Sequence, residues 1–212
     1  VYKRQIFGAE VFCIEGDKYT EPSSLVLLCQ NLKGYKNLTE LISKGYLEGQ
    51  YQGRPYIKTE WLTDKKEGLI ALSGGIKGEI GRLLLAGDTL KAEEKTRAMM
   101  ALYPDAFYLE VMRVGRTDEA LYNERVVKLA QDLNLPLVAT HDVCFLNPDD
   151  YEAHEARVCI HEGQALADPR RIKRYTDEQY LKSAEEMLEL FKDIPEALTN
   201  SVEIAKRCNV IL

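Results

Sequence analysis

A histidine and an aspartate follow directly after a short apolar run near the middle of the second half of the chain. Residues 137–140 are predicted to form a β-strand, and His141 and Asp142 come next. Glu10 lies within another strand-like run, and Glu110 lies at the end of a third. The carboxyl ends of parallel strands open onto the loops where barrel and doubly wound folds place their chemistry. We therefore expect these side chains to share one site.

Imidazole nitrogens and carboxylate oxygens brought together from separate strands are typical ligands of a divalent cation. A charge within a strand is costly to bury unless it is paired or coordinated. Glu10, Glu110, His141 and Asp142 are therefore candidate metal ligands. The alternative is that each pairs with a barrel-lining arginine or caps a neighbouring helix. His154 and His161, seven residues apart, fall on one helix face, and for them an ordinary hydrogen-bonded face is favoured over a site.

Strand-like runs alternate with helical patterns, which predicts an α/β fold with mostly parallel strands. Two segments carry apolar residues at helical spacing, and the last third contains spacings typical of helix starts, at Thr176, Ser183 and Pro195. The predicted strands are 6–14, 25–29, 69–72, 107–111 and 137–140, and the predicted central helices are 35–46 and 117–133.

Charge and cysteine content limit the classes of function that this chain can have. The 212 residues carry a formal net charge of -6, which argues against this chain being the main contact with nucleic acid. The one dense basic run, residues 170–174, is more simply a solvated loop. Five cysteines without a close pair indicate neither a disulfide framework nor a zinc ribbon. With no signal-peptide or membrane-span pattern, the expected location is the cytoplasm, with no membrane contact.

Several motifs in order then identify a resemblance. They are Gly-Ala-Glu at 8–10, Gly-Tyr-Lys-Asn-Leu at 34–38 running into Leu-Ile-Ser at 41–43, Glu-Gly-Leu-Ile-Ala-Leu-Ser-Gly-Gly at 67–75, Ala-Thr-His-Asp-Val at 139–143, and Asp-Ile-Pro-Glu-Ala-Leu at 193–198 with Ile-Ala-Lys-Arg-Cys at 204–208. Together they resemble the PHP (polymerase and histidinol phosphatase) domain of bacterial DNA polymerase III alpha subunits.

The resemblance implies a distorted (β/α)7 barrel whose metal ligands line the C-terminal rim. Residues 1–212 are then expected to form a partial PHP domain that is incomplete at its N-terminus. Within it, residues 1–5 are expected not to be native domain sequence, and helices in 176–212 are expected to close the barrel. The family's opening His-x-His motif would lie upstream of Val1.

The resemblance also implies that the metal site is degenerate. Glu10, His141 and Asp142 match the family pattern and are carried over as vestigial ligands, with Glu110 a weaker assignment. Where metal-binding members have histidines, this chain has Ser24 and Cys144. Serine is a poor substitute for imidazole, and cysteine changes the softness and charge of a site. We therefore expect no catalytic residue and no tightly bound cofactor, with at most weak divalent metal binding.

The leading hypothesis is a non-catalytic PHP module that braces a replicative polymerase and docks the separate proofreading exonuclease subunit. In this hypothesis Mg²⁺ serves the parent polymerase elsewhere, and DNA is contacted only through the other domains of the same chain. The alternative is an active metal-dependent phosphoesterase or 3′–5′ exonuclease, which would need Cys144 as a ligand and His-x-His upstream. A sugar-isomerase-like barrel is a weaker third reading, because the basic substrate contacts it would need are missing.

Overall fold

The computed structural model describes residues 5–16, 19 and 21–211, so most of the stretch 1–5 lies outside the described residues. The described chain alternates between strands and helices. The strands are β1 (Gly8–Ile14), β2 (Ser23–Cys29), β3 (Gln50–Tyr51), β4 (Arg54–Pro55), β5 (Ile57–Lys58), β6 (Leu69–Leu72), β7 (Phe107–Val111) and β8 (Leu137–Ala139). The helices are α1 (Leu32–Glu48), α2 (Leu62–Lys65), α3 (Glu79–Ala86), α4 (Thr89–Leu102), α5 (Glu119–Leu133), α6 (Tyr151–Glu162), α7 (Ala184–Leu190) and α8 (Pro195–Arg207).

Six strands form one sheet in the order β5-β1-β2-β6-β7-β8. The pairs β1/β5, β6/β7 and β7/β8 are parallel, whereas β2 is antiparallel to both β1 and β6. Five strands therefore run in one direction and β2 runs against them. The end strands β5 and β8 do not pair with each other, so the sheet of the described residues is open and no closed barrel forms. The predicted α/β class is confirmed.

The reversed direction of β2 decides where the site can form. Because β2 runs against its neighbours, its first residues lie beside the last residues of β1 and β6, as the pair Ser24 and Phe12 shows. A serine at the beginning of one strand thereby reaches the rim at which the other strands end.

The two long central helices begin and end for local reasons. Helix α1 begins where the Asn31 side chain accepts a hydrogen bond from the Gly34 backbone N–H at 3.0 Å, as expected of an N-cap. Helix α5 ends at Leu133 and is capped by Asn134, which adopts the left-handed conformation with φ of 50°. Both helices bury the apolar face that their spacing predicts, including Leu38 and Leu41 in α1 and Val126 in α5. They pack against a core that continues through the central strands.

The C-terminal third differs partly from expectation. Ser183 caps α7 with the predicted reciprocal capping box, and Pro195 is the first residue of α8. No helix begins at Thr176. The Gln179 side chain does bond the Thr176 backbone N–H at 3.0 Å, but Gln179 is fully buried and also donates to the Asp142 carbonyl oxygen at 3.0 Å. Tertiary contacts thus hold this turn in an irregular conformation.

Helix α8 lies against strand β8, where the Asn200 amide donates to the Leu137 carbonyl oxygen at 2.7 Å. None of the five cysteines, all of which lie in the described residues, forms a disulfide bond. Among the described helices, none combines the length and the apolar character needed to cross a lipid bilayer.

Candidate functional site

Five of the six residues singled out from the sequence line one cavity of about 240 Å³ at the sheet rim. These are Glu10, Ser24, Glu110, His141 and Asp142. Cys144 is not among the lining residues. Its thiol donates to the Asp142 carbonyl oxygen at 3.6 Å and accepts from the Gln179 amide at 3.3 Å, so it belongs to the packing behind the cavity.

Strand pairing explains how Glu10 and Ser24 meet. Glu10 is opposite Val26 and Phe12 is opposite Ser24, so alternate side chains of both strands point to the same face of the sheet. The Ser24 hydroxyl donates to Glu10 Oε1 at 2.6 Å. This is a short, charge-assisted hydrogen bond, and it occupies the position where the resemblance expects a histidine ligand.

Glu110 is the most buried acid of the site, with 2% of its surface exposed. Its Oε2 atom accepts a hydrogen bond from the backbone N–H of Gly74. Burial raises the pKa of the Glu110 carboxyl group, the charge of Glu10 adds to the rise, and the Gly74 hydrogen bond partly opposes it. Gly74 has a φ of 76°, and a Cβ there would lie 2.2 Å from the Ser24 carbonyl oxygen. Only glycine fits this junction between β6, β7 and β2.

The backbone of Glu110 is held by side chains because β6 has already ended beside it. The Ser73 hydroxyl accepts from the Glu110 N–H at 3.0 Å. The Tyr122 hydroxyl donates to the Glu110 carbonyl oxygen at 2.7 Å. These bonds substitute for strand pairing and fix the direction of the Glu110 side chain.

Asp142 has two cationic neighbours. Arg116 Nη2 bonds Asp142 Oδ2, and Lys77 Nζ lies 3.5 Å from the same oxygen. Burial alone would raise the pKa of the Asp142 carboxyl group, but the hydrogen bond and charge of Arg116, together with Lys77, outweigh burial and hold that pKa below its usual value. The alternative that a candidate ligand pairs with an arginine is therefore the observed arrangement for Asp142 and Arg116.

His141 is fixed from one side only. Its Nε2 atom lies 3.0 Å from the Tyr180 carbonyl oxygen, which can only accept, so Nε2 carries the proton. Its Nδ1 atom is buried and has no partner among the described residues. Burial is the main cause that lowers the pKa of His141. A neutral ring with a free Nδ1 lone pair is the one feature that retains the character of a metal ligand.

Taken together, these donors do not fit a divalent cation as they stand. Asp142 is already neutralised by two cations, and Glu10 and Glu110 are held by the Ser24 hydroxyl and a backbone N–H. No group of three His, Cys, Asp or Glu side chains within the described part of the chain has an arrangement that could hold a metal ion. Arg116 and Lys77 were not singled out from the sequence. Their positions in the loops after β7 and β6 were the sequence signal that could have identified them as neighbours of Asp142.

The other basic and histidine candidates do not line this cavity, and His161 is exposed near the end of α6. In the run 170–174, Arg170 pairs with Asp168, Arg171 with Glu155, and Arg174 with Glu162. The Arg170 and Arg174 side chains are exposed, as the solvated-loop interpretation expects, whereas the Arg171 side chain is buried against Glu155. His154 is buried and its ring meets that of Tyr175 edge to face at 4.6 Å.

Comparison with known proteins shows which protein family this chain resembles. Residues 4–114 match the PHP domain. The chain is 50% identical over 207 residues to the DNA polymerase III subunit alpha of Pseudomonas fluorescens, and 51% identical over 207 residues to that of Pseudomonas aeruginosa. It is 49% identical over 210 residues to the same subunit of Escherichia coli strain K12.

Each of these alignments covers 98% of this chain and 18% of the relative. The chain therefore spans under a fifth of the length of these relatives, and the similarity extends across nearly all of it. The matched segment contains Glu10, Ser24, Gly74 and Glu110, which build most of the rim described above. On these grounds, this chain belongs to the PHP domain family.

Proposed function

We propose that this chain is a non-catalytic PHP module of a replicative DNA polymerase III alpha subunit. The observation that supports it is the pairing of Asp142 with Arg116 and Lys77, because a carboxylate held by two cations is a poor ligand for a metal ion. In this proposal, template-directed DNA synthesis belongs to the parent chain. Mg²⁺ and DNA are then bound by its other domains, in the cytoplasm.

The second part of the proposal concerns partners. A PHP module that keeps its fold without hydrolysis would brace the other domains of the same chain, and it would provide a docking surface for the proofreading exonuclease subunit. Tyr46 near the end of α1 and Tyr51 in the adjoining β3–β4 hairpin are exposed aromatic side chains of the kind that anchor interfaces, and Leu47 adds an exposed apolar side chain beside Tyr46. The net charge of -6 agrees with contacts to protein rather than to DNA.

The metal part is tested by metal analysis of the purified full-length polymerase subunit, with phosphoesterase and exonuclease assays in Mn²⁺ and Zn²⁺. We expect substoichiometric metal and no hydrolysis that depends on Asp142. Tightly bound stoichiometric metal, with hydrolysis abolished by Asp142→Asn, would instead establish the alternative of an active metal-dependent phosphoesterase or exonuclease.

The docking part is tested by calorimetric titration of the same subunit with the purified exonuclease subunit. We expect Tyr46→Ala and Leu47→Ala each to weaken binding by about tenfold, or roughly 1.4 kcal/mol. Leu90→Ala is the matched control, since Leu90 is 82% exposed in α4 and Leu47 is 83% exposed in α1. Equal affinities for all three variants and the parent would reject this surface. An absence of binding at tens of micromolar, with subunits shown to be folded, would reject exonuclease docking altogether.

A further inference from the structure

Three successive loops meet at one carboxylate oxygen. Lys77 ends the short 3-10 helix that follows β6, Arg116 lies in the loop between β7 and α5, and Asp142 lies in the loop after β8. Both cations approach Asp142 Oδ2, Arg116 through a hydrogen bond and Lys77 at 3.5 Å. The three loops are thereby joined at the rim through a single atom.

The two cations supply a formal charge of +2, which is the charge of a divalent metal ion. They lie beside the cavity that Glu10 and Glu110 also line. Arg116 is the stronger of the two, because its guanidinium is permanently charged and only 19% of its side chain is exposed, against 58% for Lys77. The arginine therefore holds the loops after β7 and β8 together, and the lysine adds the loop after β6.

We propose that Arg116 and Lys77 are built-in cations that replace a bound metal ion at this rim. They tie together the loops that follow β6, β7 and β8, and they exclude a divalent ion from Asp142. The proposal rests on the proposed function in one respect: a rim that is tied by side chains has no open coordination position for hydrolysis. Beyond the proposed function, we expect that Asp142 can bind a divalent ion once the two cations are removed.

Backbone contacts make this outcome measurable, since the segment that carries Asp142 is also held from behind. The Gln179 amide donates to the Asp142 carbonyl oxygen, and the Cys144 N–H donates to the Gln179 carbonyl oxygen at 2.8 Å. Loss of the cations should therefore loosen residues 139–145 without unfolding them. Asp142 should stay at the cavity beside His141, whose Nδ1 atom is unpartnered.

The experiment is hydrogen–deuterium exchange of the full-length subunit, read at peptides that cover 139–145, with and without Mn²⁺. Variants are Arg116→Met, Lys77→Met and the double variant. Arg113→Met is the matched control, because Arg113 lies in the same loop and pairs with Asp193, with 28% of its side chain exposed. Arg116→Lys keeps the charge and should behave like the parent.

We expect exchange at 139–145 in the double variant to rise by about tenfold without Mn²⁺ and to fall again by at least about threefold when Mn²⁺ is added. The parent, Arg113→Met and Arg116→Lys should show no Mn²⁺ response there. Unchanged exchange in the double variant, or no Mn²⁺ response in it, overturns the proposal, as does a parent that responds as strongly as the variant.

If the double variant does not fold, Arg116→Met alone carries the test, because it removes the cation that hydrogen-bonds Asp142 and leaves Lys77 at 3.5 Å from the same oxygen. The same two outcomes then decide the proposal. Exonuclease binding and hydrolysis assays on the parent test the proposed function separately. Failure there leaves the Mn²⁺ response of the variants as an independent result.

Discussion

Removing the hydroxyl of Tyr122 should weaken the support of Glu110 at the rim. Tyr122 is 1% exposed, and its hydroxyl donates to the Glu110 carbonyl oxygen at 2.7 Å. β6 ends before it can pair with this carbonyl, so Tyr122→Phe leaves it buried without a donor. Leaving a buried acceptor unsatisfied costs about 1 to 3 kcal/mol of unfolding free energy. The loss of volume is a single oxygen atom, so the cavity contribution is small.

Tyr103→Phe provides a control for which the opposite change in stability is expected. It is 2% exposed at the end of α4, and its hydroxyl is buried without a hydrogen-bond partner among the described residues. Burial raises the pKa of this hydroxyl, which reflects an apolar environment that disfavours charge. Tyr103→Phe removes an unsatisfied polar atom, so we expect stability to be unchanged or to rise by about 1 kcal/mol.

Urea denaturation of the two variants and the parent at neutral pH measures both effects. The midpoints should move in opposite directions, or only the Tyr122→Phe midpoint should fall, while the slopes stay equal. Equal losses in both variants would mean that the hydroxyl groups contribute through packing alone. An unchanged midpoint for Tyr122→Phe would refute the reasoning that this bond replaces strand pairing at Glu110.

Two further changes test the supporting structure. In α1, a Cβ on Gly34 would lie 1.9 Å from the Gly68 carbonyl oxygen. Gly34→Ala should therefore lower the free energy of unfolding by about 2 kcal/mol in urea denaturation, whereas the same change in an open helix raises it by roughly 1 kcal/mol. A rise would disprove the close approach. The Arg113 hydrogen bonds lower the pKa of Asp193 below its usual 3.8, so this pair stabilises the fold above that pH and its contribution is lost as pH falls through the lowered pKa. Asp193→Asn should therefore cost at most about 1 kcal/mol at pH 7, because the pair is half-exposed and screened. The difference from the parent should disappear as pH falls through the lowered pKa of Asp193; a pH-independent difference would exclude this origin.

Much of the fold could be predicted from local pattern. The runs at 69–72 and 107–111 match strands β6 and β7 residue for residue, because fully buried strands require a largely apolar sequence, and Glu110 is the one charged residue within them. The capping box at Ser183 and the proline at 195 also gave correct helix starts. In each case the signal and the structure it specifies lie within a few residues of each other.

The turn at Thr176 shows where local pattern fails. Its spacing matches a capping box, and the side-chain bond from Gln179 does form. A helix there would withdraw Gln179 from Asp142 and Cys144, which lie 35 to 37 residues away in sequence. These buried contacts outweigh the small intrinsic preference for a helical turn.

The features of the site also divide into those that follow from local sequence and those that depend on the tertiary structure. The sequence by itself determined the residue types, the strand ends that carry them and the family, because motif order and apolar runs are local. Only the tertiary structure decided that β2 runs against its neighbours and brings Ser24 onto Glu10, and that Cys144 lies behind the cavity. It also decided that Arg116 and Lys77 neutralise Asp142. Coulomb interactions depend on distance in space, and residues 26 and 65 positions from Asp142 acquire that distance only when the loops are folded together.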